Sequence, residues 1–205
     1  MKTANRLQKF IKIGILLLLL SPLATLAQTA YKLSSGKNNV VKVLGTSNVH
    51  DWTMTAGNIE STGVFKFNSR DEMVDLSTLK FTIVAKSLTS GKSSMDGRTY
   101  KTIRESEFPK ITYQLTTASV TMVQANKYAI QTTGTLTIAG KTQTIAMKIM
   151  ALVNADRSIS CHGNERLKLT DYGISPPSFM LGAMKVGNDL TIEFDLTYSR
   201  SAQAK

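Results

Sequence analysis

The sequence predicts an all-β domain, an antiparallel β-barrel of about eight strands with one short helix, set behind a removable leader. Three observations carry this. Apolar and polar residues alternate with period two through most of the chain beyond residue 40, the mark of strands with one face buried. Turn residues interrupt the alternation at short intervals, so that successive runs fold back on one another. The single cysteine, Cys161, leaves no intrachain disulfide to staple an open sheet. Closure into a barrel removes the exposed strand edges that such a fold would otherwise carry. A two-sheet sandwich also accommodates the pattern and stays open as the alternative.

The leader comes first. Lys2, Arg6, Lys9 and Lys12 form a positive start without acids, residues 13–20 are an unbroken apolar run, and Ser21-Pro22 ends it. Thr25 and Ala27 then place small residues at the minus-three and minus-one positions of a cleavage site, so residues 1–27 read as a secretory signal peptide. A spanning helix needs roughly 20 apolar residues, which this run does not reach, and no cysteine follows it to carry a lipid anchor. The mature domain is then residues 28–205, periplasmic or secreted, with no transmembrane segment expected in it. Without the four leader cations, 21 basic residues face 14 acidic ones, a net charge of +7. The cations are scattered, whereas nucleic-acid binding calls for clusters on one element. No nucleic acid is expected as a partner; an anionic lipid or small amphiphile suits a basic exported protein better. A homodimer is among the states left open.

The strands follow in order. Residues 40–45 and 52–67 read as strands with Gly57 and Gly63 as bends or bulges. Leu79, Phe81, Ile83 and Ala85 alternate with polar neighbours. The one convincing helix spans about residues 94–104, with Ser93 as its cap and Asp96 favouring its N-terminus. Ile111, Tyr113 and Leu115 alternate next. Tyr128, Ile130, Gly134, Leu136 and Ile138 share one face of a long strand, Ala139-Gly140-Lys141 turns the chain, and Ile145, Met147, Ile149, Ala151 and Val153 return it. After a turn at residues 154–157, Ile159, Cys161, Gly163, Glu165 and Leu167 continue the meander. Residues 172–187, with Pro176-Pro177 and three glycines, read as a loop excursion before a last strand carrying Leu190, Ile192, Phe194, Leu196 and Tyr198.

Chemistry-bearing residues are few. His50-Asp51-Trp52 and Cys161-His162 are the tempting groupings, but neighbours in a strand point to opposite faces. Structural roles are favoured over catalysis or metal binding for both: Trp52 as an anchor at a barrel end, Cys161 as a buried, inert thiol. No nucleophile stands with a base, and neither a metal nor another cofactor is expected. Nine methionines fit an adaptable apolar interior.

Six stretches in order, residues 45–52 (GTSNVHDW), 95–100 (MDGRTY), 107–113 (EFPKITY), 134–142 (GTLTIAGKT), 169–174 (LTDYGI) and 185–190 (KVGNDL), resemble the YceI-like family of exported bacterial proteins. The resemblance implies a lipocalin-like barrel that holds a polyisoprenoid or other long-chain isoprenoid or fatty amphiphile, without enzymatic activity. On this expectation Phe81, Ile83, Ile111, Tyr113, Ile130, Leu136, Ile138, Met147 and Phe194 line the interior. Arg98, Lys101 and Arg104, spaced every three residues, would form one side of the helix at the barrel mouth. There the two arginines would meet an anionic head group. The competing expectation is a barrel with a filled core, serving as an interaction or stress-protection module in the envelope.

Overall fold

The computed structural model describes residues 27–35 and 39–201; the leader expected over residues 1–27 lies, apart from Ala27, outside them. Among the described residues, twelve strands and one α-helix follow in order: β1 (Ala27–Leu33), β2 (Val40–Ser47), β3 (Trp52–Ala56), β4 (Ile59–Phe67), β5 (Met73–Val84), β6 (Leu88–Thr89), α1 (Ser93–Thr102), β7 (Lys110–Gln124), β8 (Lys127–Ile138), β9 (Lys141–Val153), β10 (Ile159–Lys168), β11 (Ser178–Phe179) and β12 (Met184–Arg200).

Eight of these close into an antiparallel barrel in the order β1-β4-β5-β7-β8-β9-β10-β12, and β12 returns to β1 through Tyr31↔Arg200 and Leu33↔Tyr198. That closure excludes the sandwich. β2 runs on from β1 along the same edge of β12, pairing Val41 with Phe194 and Gly45 with Leu190. β3 and β6 extend the wall from there.

The β8–β9 hairpin is as the sequence predicts. Twelve residue pairs run from Lys127↔Leu152 to Ile138↔Lys141. The two turn residues, Ala139 and Gly140, both have positive φ (49° and 79°), the type I′ geometry whose twist matches that of the strands. β9 stays paired to β10 only from Ile159↔Val153 to Gly163↔Ile149. Above that level the two strands part. The loop after β10 spans the gap, with Gln143 Nε2 donating to Asp171 O at 2.5 Å.

Aromatic packing fills the base of the barrel. The Tyr31 and Phe65 rings meet edge to face at 5.2 Å, and Phe65 meets Tyr198 at 6.0 Å, arrangements that add to their area burial. Their polar ends are satisfied: Tyr198 Oη and Ser61 Oγ share a hydrogen bond of 2.9 Å, and the Met73 amide donates to Tyr128 Oη at 3.1 Å. Outside, Arg157 joins Asp71 at 2.7 Å, tying the β9–β10 turn to the β4–β5 turn.

Several expectations need correction. The run at 52–67 is two strands, divided at Gly57-Asn58, and Gly63 lies inside β4 beside a register shift between Val64 and Phe65. β5 begins at Met73, β7 runs on to Gln124, and the last strand starts at Met184. Ser93 is the first helical residue, not the cap; Lys92 precedes the helix with no side-chain bond. Asp96 instead accepts hydrogen bonds from Ser90 N at 2.7 Å and Ser90 Oγ at 2.6 Å, fastening the loop before the helix.

Candidate functional site

Alternation along each strand turns one set of side chains inward, and above the aromatic base those side chains do not meet. They enclose a cavity of about 370 Å³, within the range of pockets that bury one small or drug-sized ligand. β5 and β7 contribute Phe81, Ile83, Ile111 and Tyr113. β8 and β9 contribute Ile130, Leu136, Ile138 and Met147, and β12 contributes Phe194. All nine apolar residues singled out from the sequence therefore border one space. Ile130 is fully buried at its lower end, while Leu136, Ile138 and Met147 keep some exposure nearer the mouth.

The mouth is built from three pieces. The first is the β2–β3 loop, where Ser47 Oγ accepts from His50 N at 3.1 Å and donates to His50 O at 2.8 Å. Ser47 thus organises this turn. His50 is exposed, its Nδ1 3.0 Å from the Asp51 backbone oxygen, so the two side chains form no acid–base pair. Trp52 lines the cavity here and donates from Nε1 to Thr46 O at 3.0 Å. The second piece is α1, which lays Met95, Arg98, Thr99 and Thr102 over the opening, positions that share a helix face. Tyr100 Oη donates to Leu88 O at 2.9 Å and docks the helix. The third is the 3-10 turn Leu169–Tyr172 and the loop after it.

The two arginines part company. Arg98 borders the cavity, its guanidinium 4.5 Å above the Phe179 ring. Arg104 does not border it. The helix ends at Thr102, and Arg104 lies beyond it with φ of 52°. Its guanidinium stacks 4.5 Å over Phe108 and donates to Ala139 O at 2.8 Å. It faces a separate, shallow groove of about 460 Å³ shared with Lys141 and Ser175. Lys101 is exposed and borders neither space. The three-cation face expected at the mouth is therefore not assembled: the helix ends two residues before Arg104, and Lys101, although helical, points away from the cavity.

Sequence reasoning passed over two polar residues of the interior. Glu165 occupies an inward position of β10 and borders the cavity; burial raises its carboxyl above the ordinary range. Alternation with Cys161 and Leu167 already signalled its direction. Tyr172 borders the cavity from the loop, and burial, reinforced by the Asp171 and Glu165 charges, pushes its phenol up to about 12. No periodicity could reveal a loop residue. Cys161 is buried, its thiol pushed up to about 12 by desolvation, and His162 next to it is exposed on the opposite face. Among the described residues, no three of His, Cys, Asp or Glu gather into a metal-ligating group, and no helix is long and apolar enough to cross a membrane.

Comparison with known proteins places this architecture. The family model of the YceI-like domain matches residues 31–198. A comparison with curated protein sequences finds no match. Among solved structures, BcnA of Burkholderia cenocepacia superposes with a TM-score of 0.62 at 16% identity, covering 78% of this chain and 96% of its own. A polyisoprenoid binding domain from Saccharophagus degradans, implicated in plant cell wall breakdown, gives 0.64 at 12% identity, covering 84% and 99%. The YceI protein of Campylobacter jejuni gives 0.52 at 16% identity, covering 70% and 82%. At such identities the likeness to the three structures is one of fold.

Proposed function

Because this chain belongs to the YceI-like family, we propose that it is an exported carrier that sequesters a polyisoprenoid or comparable long-chain amphiphile inside its barrel. The observation that carries this reading is the apolar cavity itself, closed below by the Tyr31–Phe65–Tyr198 packing and open above between α1 and the Trp52 loop. The mechanism is burial. Each methylene removed from water contributes about 0.8 kcal/mol, so ten contribute roughly 8 kcal/mol. Association itself costs several kcal/mol, and a short metabolite would leave little surplus. A long chain meets that demand, and its flexibility suits walls that include Met95 and Met147. The name of the Saccharophagus degradans domain points to the same ligand class. Export rests on the positive, apolar and small-residue order of residues 1–27.

Native mass spectrometry of the protein recovered from a bacterial envelope fraction tests the reading. The expected result is a chain beginning at Gln28 that carries one co-purified lipid, released by organic extraction and identified as a long-chain isoprenoid or fatty amphiphile. A bare chain that also takes up no added lipid would favour the filled-barrel module instead. Retention of residues 1–27 would overturn export.

A further inference from the structure

Three tyrosines border the cavity, and their hydroxyls differ. That of Tyr198, at the base, is paired with Ser61. Those of Tyr113 and Tyr172 are buried without a hydrogen-bond partner among the described residues, each residue being only 4% exposed. Thr132 stands beside the Tyr113 hydroxyl, but no well-formed bond joins them, and Thr132 Oγ1 donates instead to Met147 O at 3.3 Å. Buried hydroxyls are ordinarily paired, so two unpaired ones on residues that border one cavity mark a place where something else completes them. Glu165 is close enough for its charge to act on both phenols. It makes no ion pair or hydrogen bond among the described residues.

The three groups are held in place. The Tyr113 ring lies across Gly134, where a Cβ would come within 2.5 Å of its hydroxyl. Tyr172 closes a 3-10 turn whose carbonyls are capped: Gly173 N donates to Thr170 O at 3.0 Å and Ile174 N to Leu169 O at 3.1 Å. Asn188 pins the same turn by accepting from Thr170 N at 3.1 Å and donating to Thr170 Oγ1 at 3.0 Å. Such groups bind without first being ordered. Along β10, Glu165 lies one inward position below Leu167, which pairs with Leu190 near the mouth. The polar group thus sits just beneath the opening, above the apolar depth of the cavity.

Resting on the carrier reading, we propose that Tyr113, Glu165 and Tyr172 form the seat for the ligand's polar end, and that this end is an uncharged hydroxyl. A hydroxyl fits the set: its hydrogen is donated to the Glu165 carboxylate and its oxygen accepts from the tyrosines. A phosphate in the same seat would place like charges together in a poorly solvated space, which disfavours it. Lys92, Arg98 and Lys168 border the cavity, but Arg98 is stacked on Phe179 and Arg104 is turned to Ala139 and Phe108, so the three-cation helix face that would have favoured an anionic head is not assembled.

The test uses the delipidated protein and the fluorescence of Trp52, the single tryptophan and a cavity residue. Three probes share a C20 isoprenoid skeleton: geranylgeraniol, geranylgeranyl monophosphate, and the hydrocarbon phytane. The alcohol should bind at least about fivefold more tightly than either of the others, the worth of one well-made hydrogen bond. Tyr113→Phe with Tyr172→Phe should abolish the preference for alcohol over phytane and leave phytane binding intact. Glu165→Gln should raise the affinity for the monophosphate. Equal binding of alcohol and phytane by the unaltered protein, tightest binding of the monophosphate, or an undiminished alcohol preference in the double variant would overturn the proposal while leaving the carrier reading standing. Binding of none of the three would overturn the carrier reading, and this inference with it.

Discussion

Cys161 shows how completely a single residue's chemistry is set by its place on the inner face of β10. Its thiol is pushed up to about 12 by desolvation, so at pH 8 the thiolate fraction is roughly a thousandfold below that of a free cysteine. Labelling with Ellman's reagent should be slow in the folded protein by that order and complete within minutes in denaturant; rapid labelling of the folded form would contradict the burial. Desolvation of Glu165 acts on stability in the same direction, but in a lower pH range. Its carboxyl is raised by desolvation from 4.5 in the folded chain, so the native state holds its proton to higher pH than the unfolded state does. Stability from this group is present below 4.5 and declines as pH rises through the raised value. Glu165→Gln should therefore raise the Tm at pH 7.5 and change it little at pH 4. An equal shift at both pH values would mean that its ionisation is not the cause.

At the scale of elements, the β8–β9 hairpin supports the mouth from outside. Gly140 has a φ of 79°, and a Cβ there would also run into the Phe108 ring that carries Arg104. Gly140→Ala should cost about 2 kcal/mol in urea unfolding; a change under about 0.5 kcal/mol would show that the turn and Phe108 move apart freely. This hairpin was legible in the sequence because its alternation is unbroken from Tyr128 to Val153 and its turn is short. Other elements were hidden for identifiable reasons. The first half of β5 carries two extra residues against β4, Ser77 opposite Val64/Phe65 and Val74 opposite Lys66/Phe67, which break the period that a strand would otherwise display. β1 begins at Ala27, within the stretch claimed by the leader pattern. The end of α1 was misplaced because Arg104 adopts a left-handed conformation that is rare for an arginine. The cavity wall was readable from alternation, so the nine apolar lining residues came out of the sequence. Of the proposed polar seat only Tyr113 was among them, since Tyr172 belongs to a loop and Glu165 looked like one more inward position.

For the whole molecule, closure of eight strands, an aromatic base and a partly covered mouth produce a container, and the proposed function places a long apolar chain in its interior. Ile138 and Met147 lie on adjacent strands of the wall and both border the cavity. Replacing each with tryptophan would fill space rather than remove a contact, and both positions retain some exposure, so the wall has room to adjust. The most direct measurement is the stoichiometry of geranylgeraniol bound to the delipidated protein by native mass spectrometry, comparing the unaltered chain with Ile138→Trp/Met147→Trp, each checked for an unchanged far-UV circular dichroism spectrum. One lipid per unaltered chain, with at least tenfold lower occupancy in the filled variant at the same lipid concentration, is the predicted result; equal occupancy in the two proteins would contradict an interior site.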